Sequence, residues 1–214
     1  LNMAEELQNW GAKIVGTSLA GIDAAEDRGL FSALVTKLGL RQPSNRKAAN
    51  ASEVRKLAKE IGFPVLLRPS FVLGGRSMNI CYEDRDLDLA LADGVYSSNE
   101  RAVLLDRFLD GAVEYDVDAI ADGTDVFIGG ITEHIEEAGV HSGDSSGILP
   151  ARVITPAHRE EVIAITTRVA LELGVIGAMN VQFAIHEGEI YVLEVNPRAS
   201  RTLPFVAKAT GLPL

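Results

Sequence analysis

Hydrophobic and polar positions along the chain switch between a helical and a strand period, and the switches predict the elements. "NMAEELQNWG" reads as a helix closed by Gly11, followed by a short strand in "AKIVGTS". Leu30, Leu34, Val35 and Leu38 recur at helical spacing and predict one helix over 23–39. Residues 41–49 are polar and include Pro43, which predicts a linker. In "NASEVRKLAKEIGF" the stripe Val54, Leu57, Ala58 and Ile61 marks a helix, with Asn50 or Ser52 as its cap and Gly62 as its stop. "FPVLLRPS" and "MNICYE" read as strands joined by the glycine-bearing loop "FVLGGRS". A helix over 86–95 and a strand or hinge in "AVLLDRFL" follow, and 104–112 is the expected boundary of two lobes.

Beyond that boundary the period is two. Val113, Tyr115, Val117 and Ala119 alternate with Glu114, Asp116 and Asp118, the pattern of a half-buried strand with a solvated acidic face. Asp122-Gly123 is a hairpin signal. "AGVHSGDSSGILP" is polar, rich in small residues, and predicts a mobile loop. Thr155 caps and Pro156 opens a long helix over 156–173 that Gly174 closes. "AMNVQFAI" and "EIYVLEVN" then form the last strand pair.

Composition narrows the function classes. With 214 residues, 47% hydrophobic and 23% charged, the protein can bury a sizeable core as one domain or two small lobes. A net charge of −10 argues against a nucleic-acid scaffold, though a local arginine cluster can still serve anionic substrates. One cysteine, Cys81, excludes an internal disulfide and suits a reducing, cytoplasmic compartment; its simplest role is a small residue in or near a strand. No apolar run approaches the ~20 residues of a membrane span. The sequence begins without Met and ends soon after a helix-like segment, so a piece of a longer polypeptide is expected.

The final hairpin carries the candidate chemistry. A three-residue loop at 187–189 places His186 opposite Ile190 and Gln182 opposite Glu194, with Cβ atoms about 5 Å apart. Asn196 lies two residues beyond Glu194 and shares its face. A two-residue turn would slip the register by one and undo the pairing. One carboxylate with two amide oxygens suits magnesium, a hard cation that takes oxygen ligands together with substrate phosphates. Arg198 and Arg201 follow at the strand end, where guanidiniums grip phosphate. The same residues also suit a solvent-facing strand end. A weaker second patch is "LLRPSFVLGGR", with Arg68 before Gly74, Gly75 and Arg76; it is neither a Walker A loop nor a dinucleotide fingerprint. His141 is simplest as a polar loop residue, and His134 and His158 show no ligand spacing. No serine or cysteine triad and no H-E-x-x-H pattern can be argued.

"FPVLLRPSFVLGGRSM" and "VLEVNPRASRTLPFVAKATG" resemble the two signature stretches of the carbamoyl phosphate synthetase large-subunit family. "AEDRGLF", "LLDRFLDGAVEYDVDAI" and "EHIEEAGVHSGDS" match its intervening pattern, so the resemblance spans about residues 14–214. It implies an α+β fold of the ATP-grasp type, in which two lobes hold ATP between them. Residues 1–20 would end a preceding α/β unit, 21–108 would form a helical segment with the small lobe, and 109–214 the large lobe with the metal site. That large subunit has two homologous halves, and "RPSFVLGGR", "GVHSGDS" and "NPRASRTLPF" look like the second, which phosphorylates carbamate.

The resemblance further implies roles residue by residue. Gln182, Glu194 and Asn196 match ligands of two Mg²⁺ or Mn²⁺ ions, and Gln182 and Glu194 also lie close to ATP. Arg28 and Arg68 match arginines at the nucleotide phosphates. Glu114 matches the acid at the ribose hydroxyls, which leaves Asp116 and Asp118 on the solvated face. Gly139, Val140, His141 and Ser142 match a loop lining the nucleotide site, and Leu109 falls at the adenine hinge. Arg107 falls at a nucleotide-contact position whose residue type varies in the family. Arg198 and Arg201 match the arginines at the transferred phosphoryl group and acceptor. Implied partners are the rest of the large subunit and a glutaminase small subunit, with no nucleic acid or membrane. Two other readings stay open: a different ATP-grasp ligase, such as a biotin carboxylase or carboxylate-amine ligase, and a nucleotide-binding module without catalysis.

Overall fold

The structure, a computed structural model, describes residues 3–69, 78–92, 103–140 and 144–214. They form two compact units, each drawn from separate stretches of the sequence. One unit comprises Leu1–Gln42, Val113–Ile135 and Ser146–Leu214; the other comprises Pro43–Ala112 and Glu136–Ser145. This differs from the expected continuous division at 20 and 108. The first 42 residues associate with the C-terminal sheet because Phe31, Leu34 and Val35 bury into its core.

The first unit is built on five antiparallel strands in the order β7-β6-β5-β8-β9. These are β5 (Val113–Asp122), β6 (Val126–His134), β7 (Gly147–Ile148), β8 (Ile176–His186) and β9 (Glu189–Asn196). One face is apolar: Tyr115, Val117, Val181, Phe183 and Val195 bury against α6 (Pro156–Leu173) and α3 (Arg28–Lys37). Local chemistry sets the bounds of α6. The Thr155 hydroxyl accepts from His158 N at 3.1 Å, Pro156 begins the first turn, and Gly174 takes the left-handed C-cap. The opposite face is polar and is covered in part by α7 (Leu203–Thr210), whose Val206 sits where a Cβ on Gly130 would come within 2.9 Å. Only a residue without a side chain allows that approach.

Three expected elements differ. The helix over 23–39 is two helices, α2 (Leu19–Glu26) and α3, because Asp27 is extended and its carboxylate accepts from Leu30 N at 2.9 Å. An aspartate at that point is a better cap than an interior helix residue. Residues 12–18, beyond α1 (Ala4–Asn9), form no strand. The segment is tied to β8 through the Thr17 hydroxyl, which accepts from Ile176 N at 3.1 Å, rather than through a backbone ladder. The expected linker contains β1 (Asn45–Ala48), a polar strand that among the described residues pairs only with β4 (Val103–Arg107). An edge strand of charged residues carries no alternating signal.

The second unit holds the sheet β1-β4-β2-β3, with β2 (Val65–Pro69) and β3 (Asn79–Cys81). Helices α4 (Ala51–Ile61) and α5 (Asp84–Ala92) cover it with Val54, Ala58, Leu87 and Leu91. Asn50 caps α4, as expected. Cys81 is buried there, and burial together with the charge of Asp86 pushes its thiol up to about 11.

Candidate functional site

The register of the last hairpin decides what its polar face can do. His186 pairs with Glu189, so the turn is the two-residue Glu187-Gly188, both with positive φ (51° and 80°), and not the expected three-residue loop. That turn alone would move Glu194 away from Gln182. A bulge compensates. Phe183 pairs with Val192 and Gln182 with Glu194, so Leu193 is the extra residue and the two one-residue offsets cancel. Gln182 therefore stands opposite Glu194, and Asn180 stands opposite Asn196.

Pairing continues across the sheet. Thr132, Asp116, Gln182 and Glu194 form one row over four adjacent strands; Asp118, Asn180 and Asn196 form the next. Exposure rises along these rows from the central strand to the edge. Asp116 is 3% and Asp118 0% exposed, whereas Gln182 and Asn196 are half-buried and Glu194 is exposed. Asp116 and Asp118 are thus not on a solvated strand face. β5 is the middle strand, and its polar side is closed over by α7 and the residues leading into it. The three oxygen donors Gln182, Glu194 and Asn196 occupy the accessible end, where an ion and its phosphates can approach.

A series of contacts links this edge to α2. Asn196 Nδ2 donates to Glu194 Oε1 at 2.9 Å. Arg198 Nη2 donates to Asn196 Oδ1 at 3.1 Å, and Arg198 Nε donates to Glu26 Oε1 at 2.6 Å. Arg201 is exposed three residues further on. Arg28 opens α3 and is exposed. Among the described residues no group of three His, Cys, Asp or Glu side chains could hold a metal alone. A single carboxylate with two amides leaves coordination positions for phosphate oxygens, which is how Mg²⁺ is usually held.

Glu114 lies on the same face of β5, and His134 joins it to the buried Asp116. His134 Nε2 donates to Asp116 Oδ2 at 2.9 Å, and Nδ1 lies 3.5 Å from Glu114 Oε2, a charge contact too long for a good hydrogen bond. Burial pulls the imidazole pKa down. The Asp116 hydrogen bond and the neighbouring Glu114 carboxylate outweigh it and push the group up to about 9. His134 is then an imidazolium that offsets two carboxylates. Asp118 is pushed up by burial and, less, by Asp116, against hydrogen bonds from Thr202, Ser200 and Asn180 that pull it down.

The second unit gathers the other expected residues. Arg68 Nε donates to Asp106 Oδ2 at 2.6 Å. Arg107 Nη1 donates to the Gly62 and Phe63 carbonyls, both at 2.8 Å, so that nitrogen fastens the turn after α4. Leu109 is buried. Gly139 packs on Phe108, 3.0 Å from a notional Cβ, which brings Gly139 and Val140 beside the Phe108-Leu109 stretch. His141, Ser142 and the "FVLGGR" loop with Arg76 lie outside the described residues.

Asp116, Asp118, His134, Ser200 and Thr202 were not expected at this face. The signal available was parity: Asp116 and Asp118 share the face of Glu114, and the observed register of β5 with β8 sets them against Gln182 and Asn180.

Comparison with known proteins fits this geometry. Residues 27–214 match the family model described as "Carbamoyl-phosphate synthase L chain, ATP binding domain". The protein is 52% identical over its full length to the carbamoyl phosphate synthase large chain of Campylobacter jejuni, of which it covers 20%. It is 54% identical, again over its full length, to the C-terminal section of the carbamoyl phosphate synthase large chain from Aquifex aeolicus, of which it covers 40%. It thus spans about a fifth of a large chain. Among solved structures, the biotin carboxylase domain of the Hydrogenobacter thermophilus 2-oxoglutarate carboxylase, in complex with MgADP, ADP and bicarbonate, superimposes with a TM-score of 0.77 at 22% identity, over 98% of this chain and 48% of that one. The fold is ATP-grasp, as the sequence resemblance implies. No helix among the described residues is long and apolar enough to cross a membrane. By family match and full-length identity alike, the protein belongs to the carbamoyl-phosphate synthase L chain, ATP binding domain family.

Proposed function

We propose that this protein phosphorylates carbamate with ATP, yielding carbamoyl phosphate and ADP, as the second synthetase half of a carbamoyl phosphate synthase large chain. The observation that carries the reading is the pairing of Gln182 with Glu194 at the accessible edge of β8 and β9, with Asn196 on the same face. The match to a relative named as a C-terminal section supports the second half over the first.

Glu194, Gln182 and Asn196 would hold two Mg²⁺ or Mn²⁺ ions. When bound, the ions neutralise charge on the β- and γ-phosphate oxygens. The protein's own residues do the remainder by placement and charge. Arg198, once released from Glu26 and Asn196, and Arg201 would hold carbamate and the γ-phosphoryl group in line. A carbamate oxygen forms the new bond to phosphorus as the bond to the β,γ-bridging oxygen breaks, and ADP leaves with that electron pair. The guanidiniums offset charge on the transferred group. Arg28 and Arg68 would bind the nucleotide phosphates, and Glu114 the ribose hydroxyls. Leu109 and the stretch Gly139, Val140, His141 and Ser142 would line the base. Arg107 would support that region through the turn it fastens. The remainder of the large chain and a glutaminase small subunit are the implied partners.

The test is the reverse reaction in a full-length large chain with these residues. Given MgADP and carbamoyl phosphate it forms ATP, and Glu194→Gln reduces the rate to background. Wild-type ATP formation by Glu194→Gln would overturn the metal assignment. Activity that requires biotin would favour a carboxylase instead.

A further inference from the structure

Asp118 is fully buried at the middle of β5, on the face that carries Gln182 and Glu194. A carboxylate in that position is costly unless something is bound to it. Its Oδ1 accepts from Ser200 Oγ at 2.8 Å and Thr202 Oγ1 at 2.6 Å, with Asn180 Nδ2 more distant at 3.4 Å. Oδ2 has no hydrogen-bond partner among the described residues.

The two hydroxyls belong to the turn that leads from β9 into α7. Ser200 Oγ also accepts from the backbone N–H groups of Thr202 and Leu203, both at 3.2 Å. It therefore caps α7, whose N-cap residue Thr202 makes no side-chain cap bond of its own. Ser200 and Thr202 flank Arg201, and both are tied to one carboxylate oxygen. The backbone that carries Arg201 is thus held on either side by Asp118, while the guanidinium itself is exposed.

We propose that Asp118 is a positioning residue for phosphoryl transfer: by gripping Ser200 and Thr202 it fixes where the Arg201 guanidinium meets the transferred phosphoryl group. The proposal builds on the role given above to Arg201. A carboxylate that served stability alone would be a poor choice here, because an apolar or neutral side chain would avoid leaving one buried oxygen unpartnered. What the carboxylate adds is a single acceptor strong enough to take two hydroxyl donors at once.

The experiment is ATP formation from MgADP and carbamoyl phosphate by the full-length large chain. The variants are Asp118→Ala, Asp118→Asn, the pair Ser200→Ala with Thr202→Val, Arg201→Ala, and Asp118→Ala combined with Arg201→Ala. A displaced arginine costs kcat and leaves nucleotide binding alone. Asp118→Ala therefore lowers kcat by about tenfold or more, with the KM for ADP within about twofold of wild type. Asp118→Asn, which keeps an acceptor oxygen but a weaker, neutral one, recovers part of the rate lost in Asp118→Ala and stays below wild type. The combined variant is no slower than Arg201→Ala alone. If Asp118→Ala does not fold, the Ser200/Thr202 pair carries the test and shows the same selective loss of kcat. Wild-type kcat in both of these, beside a slow Arg201→Ala, overturns the proposal alone. Losses that multiply in the combined variant, or that fall equally on KM for ADP, overturn it too. Wild-type kcat in Arg201→Ala overturns the reading of Arg201 and this proposal with it.

Discussion

Raising the pH from 6.5 to 9 should weaken this fold through one side chain, His134. Its imidazole lies between the buried Asp116 and the largely buried Glu114 and is pushed from 6.5 up to about 9. The folded protein therefore keeps a proton that the unfolded protein releases above 6.5. The stabilisation is fully present below pH 6.5 and is lost as pH climbs to about 9. Where the folded protein holds one extra proton, stability falls by about 1.4 kcal/mol per pH unit, for a total of ~3 kcal/mol as an upper limit. His134→Gln retains an N–H donor for Asp116 but cannot carry the charge. It should be less stable at pH 6 by a few kcal/mol, because a buried carboxylate loses its counter-charge. Its stability should also change less than that of the wild type over 6.5–9. Urea unfolding at intervals from pH 5.5 to 9.5, followed by far-UV circular dichroism, measures both. Circular dichroism is preferred because Trp10 is 79% exposed and reports poorly on the core. The difference between the two proteins cancels the titration of groups they share. Parallel stability curves would refute the reasoning, since His134 would then titrate as it does in the unfolded protein.

The other predictions are narrower. Gly188→Ala should cost about 1–2 kcal/mol in urea unfolding, because φ of +80° suits glycine and strains a residue with a Cβ; an unchanged midpoint would mean the turn is not two-residue. Cys81, buried and pushed up to about 11, should resist iodoacetamide at pH 8 in the folded protein and react on addition of denaturant. Labelling at the rate of a free thiol without denaturant would contradict its place in the core.

Elements whose limits are set by their own residues were legible from sequence. Thr155, Pro156 and Gly174 bound α6 without reference to anything distant. Asn50 and Gly62 do the same for α4. The pairing of Gln182 with Glu194 was legible as well, but through a loop one residue too long. The bulge at Leu193 that compensates puts one extra residue in β9, which alternation of residue types does not encode. Asp116 and Asp118 show the larger gap. Alternation assigns them to one face of a strand, yet what covers that face comes from Ser200 and Thr202, 82 and 84 positions away from Asp118. A polar strand face against solvent and one against a helix entry read alike in sequence. Asp27 was missed for the opposite reason: the apolar spacing of Leu30, Leu34 and Val35 hid a cap inside what looked like one helix.

The central claim is that Glu194, with Gln182 and Asn196, holds a divalent ion together with nucleotide phosphate. Calorimetric titration of ADP into the wild-type protein and into Glu194→Gln, with and without Mg²⁺, tests it most directly. Mg²⁺ should tighten ADP binding by the wild type by about tenfold or more, and Glu194→Gln should bind ADP alone as the wild type does but gain nothing from Mg²⁺. An equal gain from Mg²⁺ in both proteins would contradict the account.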